Sequence, residues 1–471
     1  DAGAARTRQA RRAAGQRRAL TRAVRWLYSA LAWAAQPLLR RKLRRRARAE
    51  PGYAHAVGER FGHYQGRAPA ADPDPRPLLW LHAVSLGETR AAAILLQALR
   101  AQWPDMRLLL THGTATGRAE GAKLLQPGDV QAWLPWDTPG AVRRFLRHFR
   151  PQIGVLLETE VWPNLIAACH AQGLPLVLAN ARLNERSLRQ AQRLGWLARP
   201  AYRRLAAVWA QTEADAARLR LLGAPVQGVF GNIKFDVQPD SAQLAQGRRW
   251  RAQQPRPVLL LASTREGEEA LWLQALEQKR QEALARQASA APDLIANSNA
   301  DWIADGAVQW LLVPRHPQRF DEVAALLQAA GLSVSRRSQW GDAPAPADVW
   351  LGDSLGEMPL YYGLADAALL GGSFAPLGGQ NLIEAAACAC PLLLGPHTFN
   401  FAQAAEDACA AGAAQRVADM GAALEAAARW LYNAAALAQA RQAAQSFAQA
   451  HRGAAQATAR AVAAVLRQND R

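Results

Sequence analysis

DAALLGGSFAPLGGQNLIEAAACACPLLLGPHTFNF, residues 366–401, reads as strand, glycine-rich loop, helix and strand, and it sets how the rest of the chain is read. An apolar run from Ala367 to Leu370 ends in Gly371-Gly372-Ser373. A second pair, Gly378-Gly379, opens a helix with Asn381 and Glu384 near its start. Glycines let a backbone turn sharply and approach a ligand closely, and the free N–H groups and positive dipole end of a helix start attract an anion such as phosphate. Glu384, one turn in, is placed to accept hydrogen bonds from ribose hydroxyls. The same spacing also fits a plain loop with two turning glycine pairs, because a lone glycine cluster is weak evidence for a nucleotide.

Around this stretch lies a second βα series: PVLLLAS, VQWLLVPR, a short strand near Leu332 to Ser335, VWLGD, DAALLGG and PLLLGP. Upstream, from Leu78, runs an earlier series of LLWLHAV, RLLLTHG, IGVLLE, PLVLANA, AAVWAQ and VQGVFG, separated by amphipathic stretches such as Thr89 to Gln102. Short apolar runs alternating with helical segments predict parallel sheets covered by helices on both faces. The fold class expected is α/β, two doubly wound Rossmann-like domains with a cleft between them, preceded by an N-terminal membrane-interface helix. The boundaries expected are 1–21 basic and disordered, 22–48 membrane-associated, 49–238 first domain, 239–256 linker and 257–471 second domain. The polar, alanine-rich segment from Gln281 to Gly306 reads as an inserted surface excursion.

At 471 residues, half of them hydrophobic, the chain has ample apolar material for two cores. Its formal charge of +18 calls for a polyanionic neighbour: nucleic acid, anionic lipid or a phosphorylated substrate. The charge is concentrated in Arg6 to Arg18 and Arg40 to Arg48. Between those clusters WLYSALAWAAQPLL, Trp26 to Leu39, is apolar, but its roughly 14 residues fall short of the roughly 20 that cross a hydrocarbon core. No small-residue cleavage site follows it, and the basic run behind it resists export. Trp26, Tyr28 and Trp33 beside so many arginines favour a helix lying in the membrane interface, over an ordinary core helix. Cys169, Cys388, Cys390 and Cys409 show neither disulfide-scaffold density nor paired metal spacing, and read as reduced, buried thiols in the cytoplasm.

In doubly wound sheets, functional groups gather at the carboxyl ends of strands. Polar clusters sit at eight such predicted ends. Glu88 follows Ser85 and Gly87 and opens a helix; it is either a general base at a cleft mouth or a carboxylate complementing the helix N-terminus. Glu158 and Glu160 precede a proline-started helix, where either holds substrate or developing positive charge, and Glu160 alternatively caps that helix. Lys234 in GNIKFD is a cation at a strand end. Pro314-Arg315-His316 offers a guanidinium suited to phosphate. Leu355, Gly356 and Glu357 open a helix whose backbone is placed to cradle an anion, and Ser263 to Glu269 repeats the theme.

Taken together, HAVSLGE, THGTATG, LPWD, ETEVWPN, NARLNERS, GNIKFD, ASTREGEE, VPRHPQRF, GDSLGEM, GGSFAPLGGQNLIEAA and GPHTFNF resemble the 3-deoxy-D-manno-octulosonic acid (Kdo) transferase family. The match runs in order from about Trp26 to Phe401. The resemblance implies an inverting glycosyltransferase of the GT-B type that moves Kdo from CMP-Kdo to the lipid A precursor (lipid IVA) at the cytoplasmic face of the cell inner membrane. It implies Glu88 as proton acceptor and Glu158 and Lys234 as transition-state stabilisers. It assigns CMP to Pro314, Arg315, Leu355, Gly356, Glu357, Asn381, Leu382, Ile383 and Glu384. No metal and no cofactor are expected, because Arg315, helix termini and Lys234 offset the phosphate. The partners expected are CMP-Kdo, lipid IVA and an anionic membrane surface, not nucleic acid, with the oligomeric state open. Gln380 stands where the family often has His, and the 281–306 insertion is extra.

Two other classes compete. A nucleotide-sugar epimerase uses the same two-domain architecture but needs no apolar, basic front. A non-catalytic basic protein binding nucleic acid needs aromatic and arginine residues interleaved on one surface, whereas here the arginines flank an apolar helix.

Overall fold

Long runs of Leu, Val and Ala flanked by glycine become buried parallel strands, and the amphipathic stretches between them become the helices that cover both faces. The computed structural model describes residues 23–65, 74, 76–289 and 306–469. Packing divides the chain into a first unit, up to Asp236 together with Gly453–Arg471, and a second unit, Val237–Arg452.

Among the described residues the first unit holds seven strands: β1 (Leu78–His82), β2 (Arg107–His112), β3 (Val130–Trp133), β4 (Ile153–Leu157), β5 (Leu176–Ala181), β6 (Ala207–Ala210) and β7 (Val226–Val229). They are parallel and ordered β3-β2-β1-β4-β5-β6-β7. The order reverses between β1 and β4, which pair directly, so the loops after these two strands diverge and open a crevice between them. One face of the sheet buries Trp80, Phe145 and Leu178, and the other buries Leu81, Leu95 and Trp209.

The second unit repeats the design with β8 (Val258–Thr264), β9 (Gln309–Pro314), β10 (Val334–Arg336), β11 (Val349–Leu351), β12 (Ala367–Leu370), β13 (Leu392–Leu394) and β14 (Ala414–Arg416). Their order is β10-β11-β9-β8-β12-β13-β14, and the reversal lies between β8 and β12. The expected α/β class and both doubly wound sheets are therefore present. Two edge strands escape the sequence reading. β3 and β14 are short, and their residues are neither continuously apolar nor alternating.

Three boundaries differ from expectation. The predicted linker, 239–256, is largely a helix, Ser241–Ala252, packed within the second unit. Gly247 and Gly363 make that packing: a Cβ on Gly247 would lie 2.1 Å from Leu360 O, and one on Gly363 would lie 2.6 Å from Leu244 O. The helix is also pinned by Arg251 Nε, 2.6 Å from Asp366 Oδ2. Second, the chain does not finish in the second unit. The helix Ala454–Asn469 places Ala455, Ala459 and Val462 in the first unit's core, and the Asp236 carboxylate accepts from Gly453 and Ala455 N–H at 2.5 and 2.6 Å. Third, the excursion predicted from Gln281 begins as a continuation of the helix Glu268–Ser289, with 290–305 outside the described residues. Residues 1–21, assigned to a basic leading segment, are also outside them, as is residue 22.

Residues 23–34 are helical and are followed by the helix Gln36–Ala49. Among the described residues no helix is long and apolar enough to cross a membrane. Tyr28 OH donates to Asp137 Oδ2 at 3.0 Å and Ser29 Oγ to Asn164 Oδ1 at 3.0 Å, while Leu43 is buried with Tyr53 and Phe61. On the other side Trp26 and Trp33 are 73% and 70% exposed. Cys169, Cys388 and Cys390 are buried free thiols as read from the sequence, whereas Cys409 is half-buried.

Candidate active site

The first unit's crevice is lined by the segments after β1 and β4. Ser85 caps the helix Leu86–Gln102, its Oγ accepting from Glu88 N–H at 3.3 Å. Glu88 answers by accepting from Ser85 Oγ at 3.0 Å and from Val84 N–H at 2.9 Å. The helix-terminus reading of Glu88 is thus realised in the fold as a reciprocal cap. It leaves roughly two of the carboxylate's four lone-pair sites open for another donor. Burial pushes the Glu88 pKa up, and the nearby charges of Glu158 and Glu160 push the same way, against the Val84 and Ser85 hydrogen bonds.

Glu158 ends β4 in a left-handed backbone conformation, φ +58°, which turns its buried side chain toward two cations. Lys234 Nζ lies 3.0 Å from Oε1 and Arg182 Nε lies 2.8 Å from Oε2. Lys234 is held by its neighbours: Asn232 Oδ1 accepts from Lys234 N–H at 3.1 Å, and Asn180 Oδ1 accepts from Ile233 N–H at 3.0 Å. The structure therefore brings together Glu88, Glu158 and Lys234, and adds Arg182, which the sequence reading quoted in NARLNERS without giving it a role.

Glu160 does not cap the following helix, Pro163–Ala171. Asp137 does, accepting from Asn164 and Leu165 N–H at 3.0 and 2.8 Å. Sequence reasoning missed this because Asp137 is remote in the chain, and the only signal was its place in LPWD. Glu160 instead accepts from Trp162 Nε1 at 2.7 Å and lies 3.8 Å from Nε2 of buried His82. Burial pushes Glu160 up, but His82 and the Trp162 hydrogen bond prevail and hold it below the usual carboxylate range. Thr111 and His112 are structural. Thr111 Oγ1 accepts from Trp80 Nε1 at 2.8 Å, and burial lowers His112 to about 3, so it stays neutral with Nδ1 3.0 Å from Ala83 O.

In the second unit the predicted CMP residues lie at the ends of three strands, β11, β9 and β12, with β8 between the last two in the sheet. Pro314 is buried at the end of β9, and Arg315 N–H donates to Thr264 O at 2.9 Å, which fixes the point where its side chain departs. Leu355 and Gly356 form an exposed turn after β11, with φ +80° at Gly356. The Glu357 carboxylate is held by Arg337 at 2.9 Å and Ser354 Oγ at 2.5 Å, so the turn offers a ligand its backbone. Asn381 caps the short helix Leu382–Ala387, accepting from Ile383 N–H at 3.1 Å, with Leu382 and Ile383 buried and Glu384 half-buried. Glu384 and Arg315 both act on buried Tyr362, whose pKa burial drives far upward.

The glycine-rich loop departs from expectation. Its N–H groups are largely engaged: Gly372, Phe374 and Ala375 donate to Glu268, and Gly379 and Gln380 donate to the carbonyls of Gly372 and Gly371. Gly371 is required by close approach, since a Cβ there would meet Ser263 O at 2.2 Å. Among the described residues no group of three or more His, Cys, Asp or Glu has a metal-binding arrangement.

Residues 55–237 match the family model described as 3-Deoxy-D-manno-octulosonic-acid transferase (kdotransferase). The 3-deoxy-D-manno-octulosonic acid transferase of Bordetella pertussis is 50% identical over 405 residues, spanning 85% of this chain and 89% of that protein. Two solved structures share the fold. A glycosyltransferase from Rickettsia africae has TM-score 0.50 and 10% identity, covering 84% of this chain and 99% of its own. A UDP-GlcNAc 2-epimerase from Neisseria meningitidis has TM-score 0.51 and 14% identity, covering 83% and 100%. At such identity both speak to fold and not to chemistry.

Proposed function

Because the chain belongs to the 3-deoxy-D-manno-octulosonic acid transferase family, we propose that it transfers Kdo from CMP-Kdo to the lipid A precursor, lipid IVA. The reaction is an inverting displacement. An acceptor hydroxyl gives its proton to Glu88 as its oxygen bonds to the anomeric carbon, while the bond from that carbon to the CMP phosphate breaks and CMP leaves. Glu158 and Lys234 are the transition-state stabilisers: Glu158 offsets positive charge growing on the sugar, and Lys234 holds Glu158 in place as it does so. Arg315, the Leu355–Glu357 turn and Asn381 to Glu384 take the nucleotide.

The observation that carries the reading is the Glu88 environment. An alcohol is a very weak acid, and a base for it is best when its pKa is raised toward the working pH. Burial and two neighbouring carboxylates raise Glu88 while its lone pairs remain partly open. The epimerase alternative draws support from fold alone. Incubation with CMP-Kdo and tetraacylated lipid A precursor, followed by product masses, tests the proposal: lipid products heavier by whole Kdo residues are expected, and unchanged acceptor would defeat it.

The same reading places the protein on the cytoplasmic face of the inner membrane. Exposed Trp26, Leu27, Leu31 and Trp33 with the flanking arginines of Gln36–Ala49 suit an interface of acyl chains and anionic headgroups. Flotation with vesicles containing anionic lipid is expected, and its loss on removing residues 1–48 checks the assignment.

A further inference from the structure

We propose that Glu268 is a positioning residue for the donor nucleotide: its carboxylate fills the amide nest of the glycine-rich loop in place of an external anion and fixes that loop in its binding shape. The proposal rests on the donor reading given above.

Glu268 begins the helix that follows β8 and is 1% exposed. Its Oε2 accepts from Arg265 N–H at 2.9 Å and Gly372 N–H at 2.7 Å. Its Oε1 accepts from Phe374 and Ala375 N–H at 3.0 and 3.3 Å. Four backbone donors from two loops thus converge on one side chain. The loops leave β8 and β12, the two strands at which the sheet reverses, so Glu268 spans the crevice where such folds place ligands. Successive N–H groups arranged in this way form an anion site. Here the chain supplies the anion itself.

The consequence reaches the donor through the loop. Residues 372–375 run on into Gly378-Gly379, whose path is set by Gly379 N–H on Gly372 O at 2.7 Å, and then into Asn381 to Glu384. Releasing Gly372 from Glu268 loosens the anchor on which that connection hangs. Both Glu268 oxygens are acceptors, so glutamine fails in either orientation: its NH2 group always meets N–H donors.

Adjacent Glu269 provides the control. It is as deeply buried, but it pairs with Arg319 through contacts of 3.0 and 2.9 Å and accepts from Thr264 Oγ1 at 2.5 Å, without touching the glycine loop. Calorimetric titration of CMP into wild type, Glu268→Gln, Glu268→Asp and Glu269→Gln, beside thermal melts and acceptor KM, is the experiment. The expected result is CMP affinity at least roughly ten-fold weaker in Glu268→Gln, partial recovery in Glu268→Asp and near wild-type affinity in Glu269→Gln. Acceptor KM is expected to stay within about two-fold in all. If Glu268→Gln fails to fold, Glu268→Asp against Glu269→Gln carries the comparison. Unchanged CMP affinity at position 268, or equal losses at 268 and 269, overturns the proposal. Wild type that itself fails to bind CMP refutes the donor reading, and this proposal with it, and is recognised because the parent fails rather than the variant.

Discussion

Glu88 and Glu268 occupy corresponding places in the two units. Each follows a glycine, opens the helix after the first strand of the sheet reversal, and sits beside the loop from the second strand of that reversal. Their surroundings are opposite. Glu268 is buried and has four backbone N–H partners. Glu88 is half-buried, accepts two hydrogen bonds from its own segment, and feels the negative charges of Glu158 and Glu160. A carboxylate whose lone pairs are all engaged is fixed as structure, whereas one crowded by like charge with capacity to spare is suited to take a proton.

The most severe test of this contrast is Glu88→Gln. The amide preserves shape and removes the proposed base, so turnover is expected to fall by roughly 10²–10⁴ while CMP affinity stays near wild type. Single-turnover transfer assays check it, and a loss of only a few-fold would strip Glu88 of its role. Next in size is Arg315→Ala, which on the proposed donor reading removes a charge-assisted bond to phosphate of roughly 1.5–3 kcal/mol. CMP titration is expected to show weakening of that order with acceptor KM unchanged; equal affinity would take Arg315 out of the site.

Lys234→Met leaves buried Glu158 with Arg182 as its one cation partner among the described residues. A fall in kcat of roughly ten-fold, without an equal rise in donor KM, is expected from the lost charge-assisted bond. A rise in donor KM alone would move Lys234 from the transition state to ground-state binding. The smallest effect is a shift in pH. As the proposed base Glu88 works ionised, and its pKa is raised, so activity is expected to be lost as pH falls through a point above the ordinary Glu value. Glu160→Gln removes one charge that raises Glu88, so the acid limb of the kcat/KM profile moves to lower pH. A limb that stays put or moves up would show that Glu160 does not tune Glu88.

Local pattern was enough to locate most of the elements. Apolar runs punctuated by glycine marked twelve of the fourteen described strands, because a strand buried on both faces has to be continuously apolar. Ser85-Leu86-Gly87-Glu88 announced a helix start, because a cap is made by residues three apart. Folding in three dimensions chose the partners that distance in the chain conceals. The stretch 239–256 looked like a linker because its polar run broke the apolar rhythm, yet it is largely a helix in which Gly247 lets two helix backbones touch. The last helix returned to the first unit through Asp236, a carboxylate more than 200 residues away. The glycine loop announced open N–H groups for an anion, and the fold brought Glu268 across 104 residues to take Gly372 N–H. In each case, burying a backbone donor or closing a helix contact required one particular partner, and only the folded chain supplied it.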